Sequence, residues 1–293
     1  PGAPDAEPEF VIREYVRAAS QALSELAPLQ TFYAEGREVT IDRIDLQARD
    51  LAAWRFCSVC AHAEPEAQAA QYTACPKCMS PMWIDVGCRA ETVELRSVVA
   101  ASSEQKAAIR DLDGRTTRLY DRCLYPAYSS EDIGCAYAIE TPTSLGPFGF
   151  EFVSQCEFRD LNFGPRAPGR MGRTVAGEQR PSRPFDICRE CGKLQISRNL
   201  QDGDHQASCA ASRGRQPRTQ WLAQVYLMRR FKTEAMRIIV PTAGRANNDD
   251  NKSFVAAIEL GLKGLFAGKV DHIHPAVIEE RLESGARVRN LYL

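Results

Sequence analysis

Two cysteine pairs, Cys57-Ser-Val-Cys60 and Cys75-Pro-Lys-Cys78, stand with fourteen residues between them. A two-residue spacer forms a tight knuckle whose two sulfurs reach one ion, so two such pairs are the ligand set of a tetrahedral S4 zinc ribbon. Pro76 and the turn-prone Ser58 suit the knuckles. Four thiolates leave no open position for water, which points to a structural ion rather than a catalytic one. The competing readings of a CxxC are an unmetallated surface turn and a redox dithiol.

A second cluster follows: Cys188-Arg-Glu-Cys191-Gly192, then His205 and Cys209. It offers a Cys3His set for a second structural zinc. The knuckle is the specific half, because His-x-x-x-Cys is common by chance. The alternative for His205 is a loop histidine beside Asp202 and Asp204, in which case Cys156 or Cys135 has to be brought close by the fold.

Other groups make weaker constellations. Asp271-His272-Ile273-His274 has no further ligand nearby, and Cys88, Cys123, Cys135 and Cys156 have no local base or electropositive helix start. They read as buried cysteines packing as small hydrophobes. Glu131, Asp132, Glu140 and Glu151 show no spacing for paired acid and base work. Trp54, Trp83 and Trp221 are read as covers for metal knuckles, with base stacking as the alternative.

Charge is near balance overall, at −1, yet residues 159–237 hold 16 Lys and Arg against 7 Asp and Glu. Within that stretch Arg166, Arg170, Arg173, Arg180 and Arg183 lie among glycines and prolines in what reads as an exposed linker, Pro165 to Pro184. Such a loop suits phosphate contacts, so nucleic acid is the expected partner; ordinary solvated surface is the competing reading. Arg166-Ala-Pro-Gly-Arg170-Met-Gly-Arg173 mimics a helicase arginine-finger core but lacks its leading glutamine. It is read as a basic loop.

The elements that must position these groups are legible in outline. An amphipathic helix is expected over Pro8–Leu26, with Val11, Tyr15, Ala18, Ala22 and Leu26 on one stripe. A hairpin follows around Gly36, then the ribbon, a strand over Thr92–Ala100 and a short helix over Ser102–Arg110. Alternation from Gly149 to Phe158 predicts strands in a β-rich middle. Two strands, Trp221–Met228 and Met236–Val240, flank a polar tract; a helix capped by Ser253 runs to about Phe266 and lies over a sheet; a last strand spans Ala286–Leu293. The fold class expected is α+β, a β-rich zinc-ribbon module followed by a mixed β/α zinc-binding domain. The units are 1–53, 54–100, 101–184 and 185–293.

At 293 residues the chain suits two or three compact units. It carries no signal peptide and no apolar run of membrane length, so eleven cysteines point to a reducing, cytoplasmic setting rather than a disulfide framework. It begins Pro1-Gly2-Ala3-Pro4, ends on apolar Asn290–Leu293, and reads as a fragment.

The succession Cys188-x-x-Cys191-Gly192, Thr233-Glu-Ala-Met-Arg-Ile238 ending in Pro241, and Ser253-Phe-x-Ala-Ala257-x-x-x-Gly261 resembles the MrfA-type zinc-binding domain. That domain closes large superfamily 2 DExH-box DNA helicases, including mitomycin-repair relatives, and occurs in antiphage defence proteins. Ala27-Pro28 to Gly36, the ribbon, and Phe158-Arg-Asp-Leu-Asn-Phe-Gly164 resemble the region between motor and terminal domain, so the resemblance covers nearly the whole chain. It implies a zinc-binding accessory region beside a helicase motor in the same parent chain, serving DNA repair or phage defence, with DNA held through phosphates. The alternative it implies is an interaction subunit of an antiphage assembly without its own motor. Members continue past the last strand into a glycine-rich turn; this sequence stops before it. No Gly-x-x-x-x-Gly-Lys-Ser/Thr and no DExH box is present, so ATP and Mg belong to a motor outside this sequence.

Overall fold

The computed structural model describes residues 11–46, 51–102, 107–108, 119–139, 148–169, 171–195, 205–213, 221–240, 248–268, 273, 275–281 and 287–293. Among these, helix α1 spans Ala19–Glu25, followed by β1 (Thr31–Ala34), β2 (Arg37–Thr40) and β3 (Arg43–Ile44). Next come β4 (Leu51–Phe56), β5 (Ala63–Pro65), α2 (Glu66–Ala69), β6 (Arg89–Glu94) and β7 (Val98–Val99). The middle holds β8 (Tyr120–Ala127), β9 (Ile133–Ile139), β10 (Phe148–Pro165), β11 (Arg173–Val175) and β12 (Glu178–Arg180). The last part holds β13 (Phe185–Cys188), β14 (Leu222–Val240), α3 (Asn248–Leu265), β15 (Ala276–Arg281) and β16 (Arg287–Tyr292). Strand outweighs helix, in keeping with a mixed α+β class.

Ten of these strands form one sheet. Its axis is the antiparallel pair β10 and β14, registered from Gly149 against Ile239 to Asn162 against Leu227, with a bulge between Val153 and Cys156. On the far side of β10 lie β8 and β9. Parallel pairing of β14 with β6 brings in β4 and β5, and antiparallel pairing adds β13 and β16. Strands from the expected ribbon, connecting region and terminal domain therefore share one hydrogen-bonded sheet.

Two polar devices hold the axis. Asp160, buried on β10, accepts from Arg122 of β8 at 2.7 Å and from Arg229 of β14 at 3.0 Å. Buried Asn162 donates to the Leu23 carbonyl at 2.6 Å and accepts from the Gly164 amide, tying α1 to the sheet. A charge or amide at these depths is tolerable only because it is bonded on both sides.

Three expectations need correction. The helix predicted over Pro8–Leu26 occupies only Ala19–Glu25; Pro8 lies outside the described residues, and Val11, Ile12 and Val16 are exposed. Three β-branched residues without a surface to pack on are poor helix formers. The polar tract Arg229–Glu234 does not separate two strands but lies inside the 19-residue β14. Cross-strand partners absorb it: Arg229 pairs with Asp160, and Phe231 stacks on Phe158 at 5.4 Å. Helix α3 begins at Asn248, leaving Ser253 inside it, and Phe254, Ala257 and Leu265 of its expected buried stripe are exposed. Leu260 and Phe266 add exposed apolar surface, while Ile258 and Leu262 of the expected stripe, with Val255 and Glu259, are partly buried. Of the helix expected over Ser102–Arg110, most lies outside the described residues.

Candidate metal centres

Each cage grows from the end of a strand. Ala53 of β4, Glu91 of β6, Val225 of β14 and Phe185 of β13 form one continuous row across the sheet. Strands β4 and β13 run in the same direction along it, so Cys57 and Cys188 emerge at the same edge, three strand spacings or about 14 Å apart.

In the first cage the Cys57 amide donates to the His62 carbonyl at 2.9 Å as β4 turns into β5. The Val59 amide points at Cys57 Sγ at 3.4 Å, the bond that closes a knuckle. The second knuckle is closed by Met79 N to Cys75 O at 2.8 Å, with Met79 in the left-handed region at φ 56°. Between them, Arg55 holds both Glu66 carboxylate oxygens at 2.8 and 2.9 Å and the Trp83 carbonyl at 2.7 Å. Trp83 is fully buried among Cys57, Cys60 and Cys75, and its indole donates to the Ala69 carbonyl at 3.3 Å.

The second cage hangs from β13. Gly192 at φ +67° closes the knuckle, donating to Cys188 O at 2.9 Å. A Cβ there would lie 1.8 Å from the Ile44 carbonyl oxygen, so only glycine fits between knuckle and β3. His205 meets Trp221 edge to face at 5.1 Å. Glu190 accepts from the Ala210 amide at 2.7 Å and fixes the turn that carries Cys209.

The donor geometry fits zinc. A tetrahedral ion with Zn–S near 2.3 Å sets its S···S edges at about 3.8 Å and its S···N edges at about 3.6 Å. Cys57–Cys78, Cys60–Cys75 and Cys188–Cys209 are each 3.7 Å apart, and His205 Nδ1 lies 3.3 Å from Cys191 Sγ and 3.7 Å from Cys209 Sγ. Within each set all four ligand atoms lie within 4.8 Å of one another. A disulfide needs about 2.05 Å, and all eleven cysteines are free. Both groups can therefore hold a metal through a closed set of four soft or borderline donors.

Thiol acidity is uneven within each cage. Hydrogen bonds from the Cys57 and Cys60 thiols draw Cys75 down to about 4, and a bond from Cys188 draws Cys191 down to about 4. Hydrogen bonding to Cys57 and then to Cys75 pushes Cys60 up, bonding to Cys191 pushes Cys188 up, and burial raises Cys209. Thiols must give up their protons to bind a metal, so metal uptake at each set is coupled to proton release.

Three of the five loop arginines, Arg173, Arg180 and Arg183, have partners within the chain. Pro165–Pro184 is not an open linker: β11 and β12 form a hairpin whose tip, Ala176-Gly177, has both φ values positive. Ala176 N donates to Cys57 O at 2.9 Å and Gly177 N to Ser58 O at 2.7 Å, so the hairpin caps the first knuckle. Arg180 is held by Asp121 at 3.3 Å and Glu178 at 2.8 Å. Arg183 pairs with Asp186, and Arg173 donates to the Gly87 carbonyl with its guanidinium over Tyr226. Arg166 is exposed, and Arg170 lies outside the described residues.

Sequence reasoning missed the Ala176-Gly177 cap, although a two-residue turn ending in glycine between short alternating runs is a hairpin signal. It also missed Arg55, Glu66 and Glu190, which carry no local signal. Trp83 and Trp221 pack on the cages, while Trp54 belongs to the main core, covered by Arg159 at 5.2 Å and Arg230 at 5.8 Å. Cys88 and Cys156 are buried, Cys156 being pushed up to about 11 by burial. Cys123 is partly buried, and burial raises its thiol. Cys135, expected to be buried, is exposed on β9. His272 and His274 lie outside the described residues.

No helix among the described residues is long and apolar enough to cross a membrane. No protein-family model, curated protein or solved structure matches the chain.

Proposed function

We propose that the chain is a zinc-organised accessory region of a larger ATP-dependent DNA helicase of the type that ends in an MrfA-like zinc-binding domain. The observation that carries this reading is the placement of two closed ligand sets at one edge of a single sheet, in a chain whose motif order resembles that region. Zinc in each set supplies folding free energy of order 10 kcal/mol and no open coordination position, so its role is to make the sheet edge rigid. The chain's own residues would then hold DNA backbone beside a motor that supplies ATP hydrolysis. Among the described residues of the loop set Arg166 and Arg183 are exposed, Arg183 keeping half its side chain in solvent beside Asp186.

Backbone contacts release counterions, so affinity for DNA of any sequence should fall steeply with salt. Fluorescence anisotropy of the zinc-loaded chain with single- and double-stranded DNA between 50 and 200 mM salt, on the order used for such slopes, tests this. Binding with a negative log–log slope supports the reading. Absence of binding, with unwinding by the parent protein intact after deletion of this region, defeats it.

A second reading, an interaction subunit of an antiphage assembly without its own motor, is favoured by one observation. Tyr137, Ile139, Phe148, Phe150 and Met236 form exposed apolar surface at one end of the sheet. A partner that copurifies while DNA affinity is absent would move the assignment there.

A further inference from the structure

We infer that Glu190 makes the second cage the exchangeable one of the two: its carboxylate fixes the turn that carries Cys209 and, by its charge, loosens the grip of that ligand set on a metal. The inference rests on the metal reading of the second set and is independent of the nucleic-acid reading.

Glu190 stands inside the knuckle, between Cys188 and Cys191, and one of its carboxylate oxygens makes two contacts of opposite effect. Oε2 accepts from the Ala210 amide at 2.7 Å and lies 3.4 Å from Cys209 Sγ. The first contact holds the turn in place, so the ligand set is preformed. The second sets a carboxylate against a ligand sulfur. Cysteine binds a metal as the thiolate, so with the site loaded two negatively charged atoms face each other. Neighbouring cations do not relieve them. Arg189 is committed to Glu91 at 2.6 Å and Lys193 to Asp42 at 2.5 Å, and among the described residues Glu190 forms no ion pair.

The first cage is built the other way. Cys57 Sγ is approached by an N–H, the Val59 amide at 3.4 Å, and the acidic side chain between the knuckles, Glu66, is held on both oxygens by Arg55 at 2.8 and 2.9 Å. A donor stabilises a metal-bound thiolate, whereas an unpaired carboxylate opposes one. Glu190 is exposed, so the repulsion acts through water, where two unit charges at this separation change an equilibrium constant by about eightfold. A set that is preformed yet loosely filled suits a metal that is taken up and given back, while the first ion stays with the fold.

The test separates the charge of Glu190 from its hydrogen bond. Glu190→Gln keeps an oxygen to accept from the Ala210 amide and removes the charge; Glu190→Ala removes both. A chromophoric chelator titrated into the zinc-loaded full chain reads the two ions, and His205→Ala, which lacks the second, assigns the steps. In the parent chain the second ion should leave first. Glu190→Gln should hold it about eightfold more tightly and leave the first unchanged, and Glu190→Ala should fall short of that gain. The gap between the parent and Glu190→Gln should narrow as salt rises from about 0.05 to about 1 M, because screening acts on a charge and not on a turn. Equal or weaker binding by Glu190→Gln at the second site overturns the inference and leaves the metal reading standing. So does a gain that salt does not reduce, or a second ion that leaves the parent chain no sooner than the first. A second set that takes up no zinc in either chain overturns both.

Discussion

Arg189, lying between the two cysteines of the second knuckle, donates to Glu91 of β6 at 2.6 Å. Glu91 belongs to the strand that leaves the first cage, and it pairs with Val225 of β14, whose other neighbour is Phe185 of β13. The two cages are thus joined through the sheet and across its edge. Both side chains are partly exposed, so the ion pair orients more than it stabilises.

The cages should lose metal separately. Cys57→Ser is expected to reduce zinc from two ions to one per chain and to melt the ribbon, while the second site keeps its ion. His205→Ala should empty the second site and His205→Cys should keep it filled, because thiolate replaces imidazole in a tetrahedral set. Zinc content after gel filtration, with a chromophoric chelator as competitor, checks both.

Gly192→Ala is expected to weaken the second zinc at least tenfold and to lower stability. The new Cβ would meet the Ile44 carbonyl oxygen, and φ +67° is a poor conformation for alanine. Chelator competition at each site measures the effect, which should leave the first ion untouched.

Arg180→Ala should act on stability, with a cost of about 3 kcal/mol, because it leaves the buried Asp121 carboxylate without its partner. Arg166→Ala should leave the urea midpoint unchanged and reduce DNA affinity and its salt slope. Parallel denaturation and anisotropy series separate an arginine that holds the fold from one that faces a ligand.

The Glu66 carboxyl is held below its ordinary 4.5 by the hydrogen bonds from Arg55. The unfolded chain therefore binds a proton at a pH where the folded chain does not. The ion pair contributes stability that is full above 4.5 and is lost as pH falls through the lower folded value. Glu66→Gln should remove that part of the acid dependence, so the gap between the two chains in urea midpoint should close as the medium is acidified below 4.5.

What the sequence made legible was local. Cys57 with Cys60 and Cys188 with Cys191 announce themselves because both ligands of a knuckle are three positions apart, and strand alternation around Phe150 is equally short-ranged. The sheet was not legible, because parallel pairing of Glu91 with Val225 joins residues whose partnership no periodicity encodes. The tract Arg229–Glu234 looked like a connection on polarity alone; Asp160 and Phe158 on the neighbouring strand make it sheet. Arg180 looked like a free cation for the same reason, since the carboxylate of Asp121 that meets it lies 59 positions away. Cys135 looked buried by residue type, yet β9 lies at an edge that only the topology reveals.

The central claim is that this one sheet is built around two zinc ions, and native mass spectrometry of the intact chain purified without added metal or chelator tests it most directly. The account predicts a mass corresponding to two zinc ions per chain, with both lost together with the folded charge-state distribution in acid. A folded chain carrying no metal, or one ion shared between the two ligand sets, would contradict it.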